Sequence, residues 1–231
     1  MSYLNPHSTG PDFCVDLMSL VRLRTDRPGP DLVQAASSAQ AAGADVISLV
    51  VGEISPGVMA AIASALMIKL HVRLPAGSAL LDLATSVQPQ RICMAIQDGN
   101  AAVAEQLQAR GIELAYAIGA TLEQVQAAHD AGVCAIELDA SKYGATDIVG
   151  ETDAEFEQLA ACAAAATRLG LQVQVAHGLD LANVLRIAAL ENVAQIQVGQ
   201  ALLVRAIVVG WQVAVGDMKA VLAQARRKAR P

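Results

Sequence analysis

Eight short apolar runs alternating with helical patterns, four glycines placed at helix ends and a core almost free of aromatics predict an α/β fold: a single (β/α)8 TIM barrel. Of the 231 residues 54% are hydrophobic and only 3% are Phe, Trp or Tyr, so the core material is Val, Leu, Ile and Ala. That composition suits parallel strands buried on both faces rather than an aromatic-rich β-sandwich.

The first strand is expected near Phe13–Leu17, after a Ser-, Pro- and Gly-rich stretch (residues 1–12) that reads as a flexible N-terminal extension. A helix over Asp31–Ala42 then stops at Gly43, and "AGADVISLV" starts the second strand, Val46–Val51. Strands three and four are expected at Ile68–Leu74 and Arg91–Ile96. The same helix–glycine–strand signal then returns three times. "RGIELAY" ends a helix over Ala101–Arg110 and opens a strand at Glu113–Ile118. "AGVCAIE" ends Leu122–Ala131 and opens Ala135–Asp139, and "LGLQVQV" ends Ala154–Leu169 and opens Gln172–Ala176. A last strand at Ala194–Val198 and an outer helix over Val213–Arg226 complete one domain spanning 1–231. No Gly-x-Gly-x-x-Gly follows the first strand, which counts against a dinucleotide fold, and no cofactor is indicated.

Charge and punctuation exclude several functions. The net charge of −6, with basic residues gathered only at Arg226–Arg230, argues against a nucleic-acid partner, because phosphate backbones need a basic face. That tail suits a helix C-terminus. Apolar runs such as Val58–Ile68 are too short to span a bilayer, and no secretion signal is legible, so the expected location is cytoplasmic and no membrane partner is expected. Cys14, Cys93, Cys134 and Cys162 follow no metal-ligand spacing and read as small buried hydrophobes.

Barrel enzymes keep their chemistry at the C-terminal ends of the strands. Glu137 and Asp139, spaced i, i+2 on one face of strand six, lie at such an end, as does His177 just after strand seven. Asp16 in strand one and His71 in strand three add two more titratable groups that would be costly to bury unless they paired or worked. Ala176, the residue before His177, is expected to pack outward.

The last third, "GLQVQVAHGLDLANVLRIAALENVAQIQVGQALLVRAIVVGWQVAVGDMKAVLAQAR", resembles the C-terminal part of the pyridoxine 5′-phosphate synthase family. "PDLVQAASSAQAAGADVISL" and "EQVQAAHDAGVCAIEL" resemble its first helix with second strand and its fifth helix with sixth strand. The resemblance implies a barrel that condenses an amino-ketone phosphate with a deoxyxylulose phosphate, and hence a phosphorylated small-molecule substrate and a homo-oligomer. It implies His177 as an acid/base and Glu137 as a substrate-orienting group. Gly178 and Gly199, with Gln200 beside it, would hold a phosphate through backbone amides at a helix start. Arg24 and Arg27 resemble the paired arginines of the loop after strand one. The family's Asp-His after strand one is matched to Met18-Ser19, its strand-two histidine to Val50, and the basic residues beyond to Gly52 and Gly57. Its strand-three glutamate is matched to His71, two further histidines to Asp139 and Gln200, and its long lid to Gln97–Asn100.

The expectation is therefore a divergent enzyme in which His71 and Asp139 are re-tasked beside His177 and Glu137. One alternative is a non-catalytic barrel paralogue serving as a binding or assembly module. A weaker one is a metal-dependent barrel using Asp16, His71, Glu137, Asp139 and His177, for which no local ligand pair is present.

Overall fold

The computed structural model describes residues 10–23, 29–77, 79–145 and 148–229. Its eight strands close into one parallel barrel in sequence order, with the first paired to the last. They are β1 (Asp12–Asp16), β2 (Val46–Val50), β3 (Lys69–Arg73), β4 (Arg91–Ala95), β5 (Glu113–Ile118), β6 (Ala135–Asp139), β7 (Gln172–Ala176) and β8 (Val193–Val198). The helices are α1 (Met18–Val21), α2 (Leu32–Ala41), α3 (Pro56–Ala65), α4 (Leu81–Ser86), α5 (Ala101–Ala109) and α6 (Leu122–Asp130). They continue as α7 (Ser141–Ala145), α8 (Val149–Arg168), α9 (Val184–Ala188), α10 (Gln200–Val209) and α11 (Trp211–Ala229).

The expected barrel is therefore present, with every expected strand within one residue of its place. Gly43, Gly111, Gly132 and Gly170 all have positive φ, the left-handed turn that lets a helix stop and a strand begin. Helix starts are fixed by side chains: Asp31 accepts the Val33 and Gln34 amides, Asn100 that of Val103, and Thr121 that of Gln124. The outer helix α11 packs on α2, α9, α10 and β1, and Trp211 Nε1 donates to the Ala35 carbonyl at its start. Residues 1–9 of the expected extension lie outside the described residues, and Asp12 already belongs to β1.

The barrel interior departs from the apolar expectation. Strand faces turned to the helices carry the apolar core: Phe13, Val15, Ile47, Leu49, Ile92, Ile136, Leu138, Val173, Val175 and Ile196 are all buried. The opposite faces carry Ser48, His71, Arg91, Glu137, Gln174, Gln195 and Gln197, also buried. Small Cys93, Ala115 and Ala135 pack together on the far side and leave these longer chains room. Several of these polar groups bond one another, although Gln174 Nε2 is buried without a partner among the described residues. Gln195 Nε2 lies 3.5 Å from His71 Nδ1 and donates to Gln174 Oε1 at 3.3 Å. At the strands' N-terminal end Arg91 pairs with Glu113 and Gln172, and Lys69 with Asp12.

His71 thus occupies the middle of its strand, two residues short of the mouth. Burial, assisted by the nearby Arg91 and Lys69 cations, holds it well below its ordinary value of 6.5. The unfolded chain therefore takes up a proton as pH falls through 6.5 while the folded chain does not, and stability is lost toward acid. Asp16, which burial raises above its ordinary 3.8, acts in the opposite sense. Urea midpoints should fall between pH 7.5 and pH 5 in the parent and flatten in His71→Gln. Equal slopes in the two proteins would remove His71 as the cause.

Candidate active site

The mouth of the barrel holds a cavity of about 1150 Å³, lined by residues that include Asp16, Arg22, Arg73, His177, Gly199 and Arg205. Three strands deliver its central cluster. Pleat alternation sends Lys69, His71 and Arg73 of β3 inward, and of these only Arg73, the last, reaches the mouth. Glu137 comes from the inward face of β6. The inward set of β7 is Gln172, Gln174 and Ala176, so Ala176 continues the interior file rather than packing outward as expected. Simple alternation would then send His177 toward the helices. His177 and Gly178 instead take φ values of 68° and 66°, two left-handed residues in a row, and the ring turns back over the mouth. A left-handed histidine costs on the order of 1 kcal/mol, which the surrounding fold must sustain.

Arg73 Nη2 donates to Glu137 Oε1, Arg73 Nη1 lies 3.3 Å from His177 Nε2, and His177 Nε2 is 3.8 Å from Glu137 Oε1. A guanidinium only donates, so the Arg73–His177 contact is a hydrogen bond when Nε2 carries its lone pair and Nδ1 the proton. The side chain of Glu137 is 3% exposed, that of Arg73 20% and that of His177 41%: the carboxylate is covered, and the cation and imidazole face the cavity. Burial would push Arg73 down, but Glu137 and its neighbouring anions outweigh this and hold it above its ordinary value, a fixed positive charge.

Of the four residues expected to act catalytically, the fold brings Glu137 and His177 together and leaves two apart. His71 lies below, among Gln174 and Gln195. Asp139, exposed at the end of β6, accepts the amide of Ser141 at 2.8 Å and its hydroxyl, so it caps the turn into α7. The five residues considered for a metal are likewise dispersed, and no group of three or more His, Cys, Asp or Glu side chains suited to a metal occurs among the described residues. Arg24 and Arg27 lie outside the described residues. Arg22 and Arg205 supply cationic lining instead, the latter bonded to Asp217.

The glycines have steric reasons of their own. A Cβ on Gly178 would stand 2.8 Å from the Ala140 carbonyl oxygen, and one on Gly144 2.0 Å from the Gly178 oxygen, so the loops after β6 and β7 touch backbone to backbone. A Cβ on Gly199 would meet the Asp16 carbonyl at 3.0 Å. Gly199 is the residue before α10, and with Gln200 it lines the cavity where that helix presents its first amides. Asp16 is the last residue of β1, two residues before Met18. Its carboxylate accepts the Met18 amide at 2.9 Å, and burial raises its pKa.

The family model described as pyridoxal phosphate biosynthesis protein PdxJ matches residues 95–224. A pyridoxine 5′-phosphate synthase of Idiomarina loihiensis is 30% identical over 218 residues, 85% of this chain and 90% of the relative. The chain belongs to the pyridoxine 5′-phosphate synthase family. The family-model match takes in Glu137, His177 and Gly199 and begins after Arg73. Solved structures agree on architecture. Phosphoribosylanthranilate isomerase from Thermotoga maritima has a TM-score of 0.60 at 14% identity, covering 93% of this chain and 99% of that one. Tryptophan synthase from M. tuberculosis gives 0.64 at 13%, covering 93% and 94%. A mandelate oxidase gives 0.66 at 20%, covering 99% and 79%. At these identities the likeness is one of fold. No helix among the described residues is long and apolar enough to cross a membrane.

Arg73 and Arg22 were missed at the sequence level. The alternation in "KLHVR" puts Lys69, His71 and Arg73 on one face, and the register of β3 in the closed barrel sets Arg73 at the mouth.

Proposed function

We propose that this chain is an enzyme of its family that binds a phosphorylated small molecule in the mouth of the barrel and works on it by acid/base-assisted proton transfer or condensation. The observation that carries this is the convergence of His177 and Arg73 on one cavity beside the start of α10, with Glu137 buried behind Arg73. His177 is the exposed acid/base. Glu137 orients the cluster through Arg73. The first amides of α10, with Arg22 of the same cavity lining, hold the phosphate, since unsatisfied amides and the helix dipole favour an anion there. His71 and Asp139 are left out, being engaged elsewhere. The chain is divergent at the active site, because Val50 stands where the family's strand-two histidine is expected and His71, buried among glutamines, where its strand-three glutamate is. Exposed Val204, Ile207 and Val208 on α10, the first and last of which also line the cavity, support a homo-oligomer that meets beside the barrel mouth.

Two measurements test this. In a pyridoxine-auxotrophic bacterium lacking the synthase, the chain should fail to restore growth while the purified protein binds inorganic phosphate. Growth would overturn the divergence, and absence of phosphate binding would overturn the substrate class. Gln200→Glu should weaken phosphate binding about tenfold, as expected of a charge set against a bound anion. The same change should leave thermal stability equal or higher by ~0.3–1 kcal/mol, because a carboxylate suits a helix start. Unchanged phosphate affinity would place the anion elsewhere.

A further inference from the structure

Arg73 lines the cavity, lies outside the family-model match, and has a chemistry of its own. Its contacts with Glu137 and His177 engage one N–H on each terminal nitrogen, and a guanidinium has five. The remaining N–H groups are left for the cavity that Arg73 lines together with the start of α10, the proposed phosphate end. Glu137 is nearly inaccessible, so a ligand meets the cation and the imidazole rather than a carboxylate. A cation held by a buried anion, 3.3 Å from a ring nitrogen that carries a lone pair in the Nδ1–H tautomer, is the arrangement that enolisation needs: a base for the carbon-bound proton and a positive group for the oxygen that gains charge.

We propose that Arg73 is a catalytic residue of this site, holding the carbonyl oxygen of a phosphorylated ketone while His177 removes a proton from the adjacent carbon. This rests on the reading of the barrel mouth as the active site. In the step, the ligand's carbonyl oxygen takes over the Arg73 Nη1 N–H that His177 Nε2 accepts in the free protein; the released Nε2 lone pair forms an N–H bond with the α-proton and the C–H bond breaks. Its electron pair becomes the new C=C bond, and the carbonyl π pair moves onto oxygen, where the Arg73 N–H groups meet the negative charge. Return of a proton from the imidazolium to carbon restores the ketone, so no co-reactant is consumed. Glu137 is the positioning residue: it fixes the guanidinium plane and never contacts the ligand.

The test uses the full-length protein and dihydroxyacetone phosphate, a simple phosphorylated hydroxyketone. The rate of deuterium incorporation at its hydroxymethyl carbon in D2O is followed by NMR, and inorganic phosphate affinity is measured alongside by calorimetry. The parent should catalyse exchange, and Arg73→Lys, which keeps the charge but loses the planar fork, should exchange about tenfold more slowly. Arg73→Gln would leave Glu137 buried without a partner and endanger folding, so it is paired with Glu137→Gln. That double variant should lose ~100-fold or more of the exchange rate, as removal of an oxyanion donor does, with phosphate affinity within about threefold of the parent. Exchange undiminished in the double variant, with phosphate still bound, would overturn the role of Arg73. Phosphate binding by the parent without any exchange would overturn the enolisation but leave the phosphate site standing. Failure of the parent to bind phosphate at all would remove the site reading and this inference together.

Discussion

His177→Ala is expected to lower turnover of a phosphorylated substrate by about 10²–10⁴-fold, the ordinary worth of a positioned acid/base, while inorganic phosphate still binds. The separation follows from geometry. His177 sits after β7 and touches Arg73, whereas the proposed phosphate amides belong to α10. Nearly half of the ring is exposed, so its removal opens little of the core. The backbone at this position is left-handed, which asparagine tolerates better than alanine, so His177→Asn is the companion variant. It should fold as the parent does and be equally inactive. Calorimetric phosphate titration and a steady-state assay separate the effects. If both variants lose phosphate binding and unfold, the histidine is a structural residue and the acid/base assignment fails.

Gly144→Ala is expected to destabilise the protein by ~2–3 kcal/mol, at the upper end of overpacking costs. A Cβ there would stand 2.0 Å from the Gly178 oxygen, 2.5 Å from its carbonyl carbon and 2.6 Å from its Cα, all backbone atoms with no rotamer to retreat into. The chain holding Gly178 is itself pinned, since its carbonyl accepts Asn183 Nδ2 at 2.9 Å and Tyr143 donates to the Asn183 carbonyl. Relief of the clash must therefore move the turn that presents His177, and activity should fall together with stability. Gly216→Ala on α11, where a Cβ meets nothing within 4 Å, is the control. It should be neutral or gain up to about 1 kcal/mol from helix propensity. Urea midpoints of the three proteins decide the matter, and a Gly144→Ala midpoint equal to the parent's would show that the two loops can part without cost.

Much of the fold was legible before any coordinates. Period-two apolar runs and helix-ending glycines are local signals, and a parallel strand that must return through a helix leaves few closed arrangements for eight such units. Gly43, Gly111, Gly132 and Gly170 take the positive φ their spacing implied because the cause, a helix stopping just before a strand, lies within a few residues. His177 and Glu137 were legible as well, as polar residues in positions that burial would penalise. The interior was less so. The sequence of β3 shows an alternation of Lys69, His71 and Arg73, but which of them reaches the mouth depends on where the strand begins relative to its neighbours. Asp139 looked like a partner of Glu137 by spacing. A serine two residues later captured it into a turn.

The sequence by itself determined the barrel, its single order of strands and helices, and the presence of a histidine and a glutamate at strand ends, because these follow from hydrophobic period, turn chemistry and family likeness carried along the chain. Only the tertiary structure decided that Arg73 lies between that pair, that His71 is sealed among glutamines, and that Gly178 is a glycine because Ala140 and Gly144 press against it. The physical reason is separation: Arg73 and Glu137 are 64 residues apart and Arg73 and His177 are 104 apart. Their meeting is set by the closure of the sheet and its register, which no local pattern encodes.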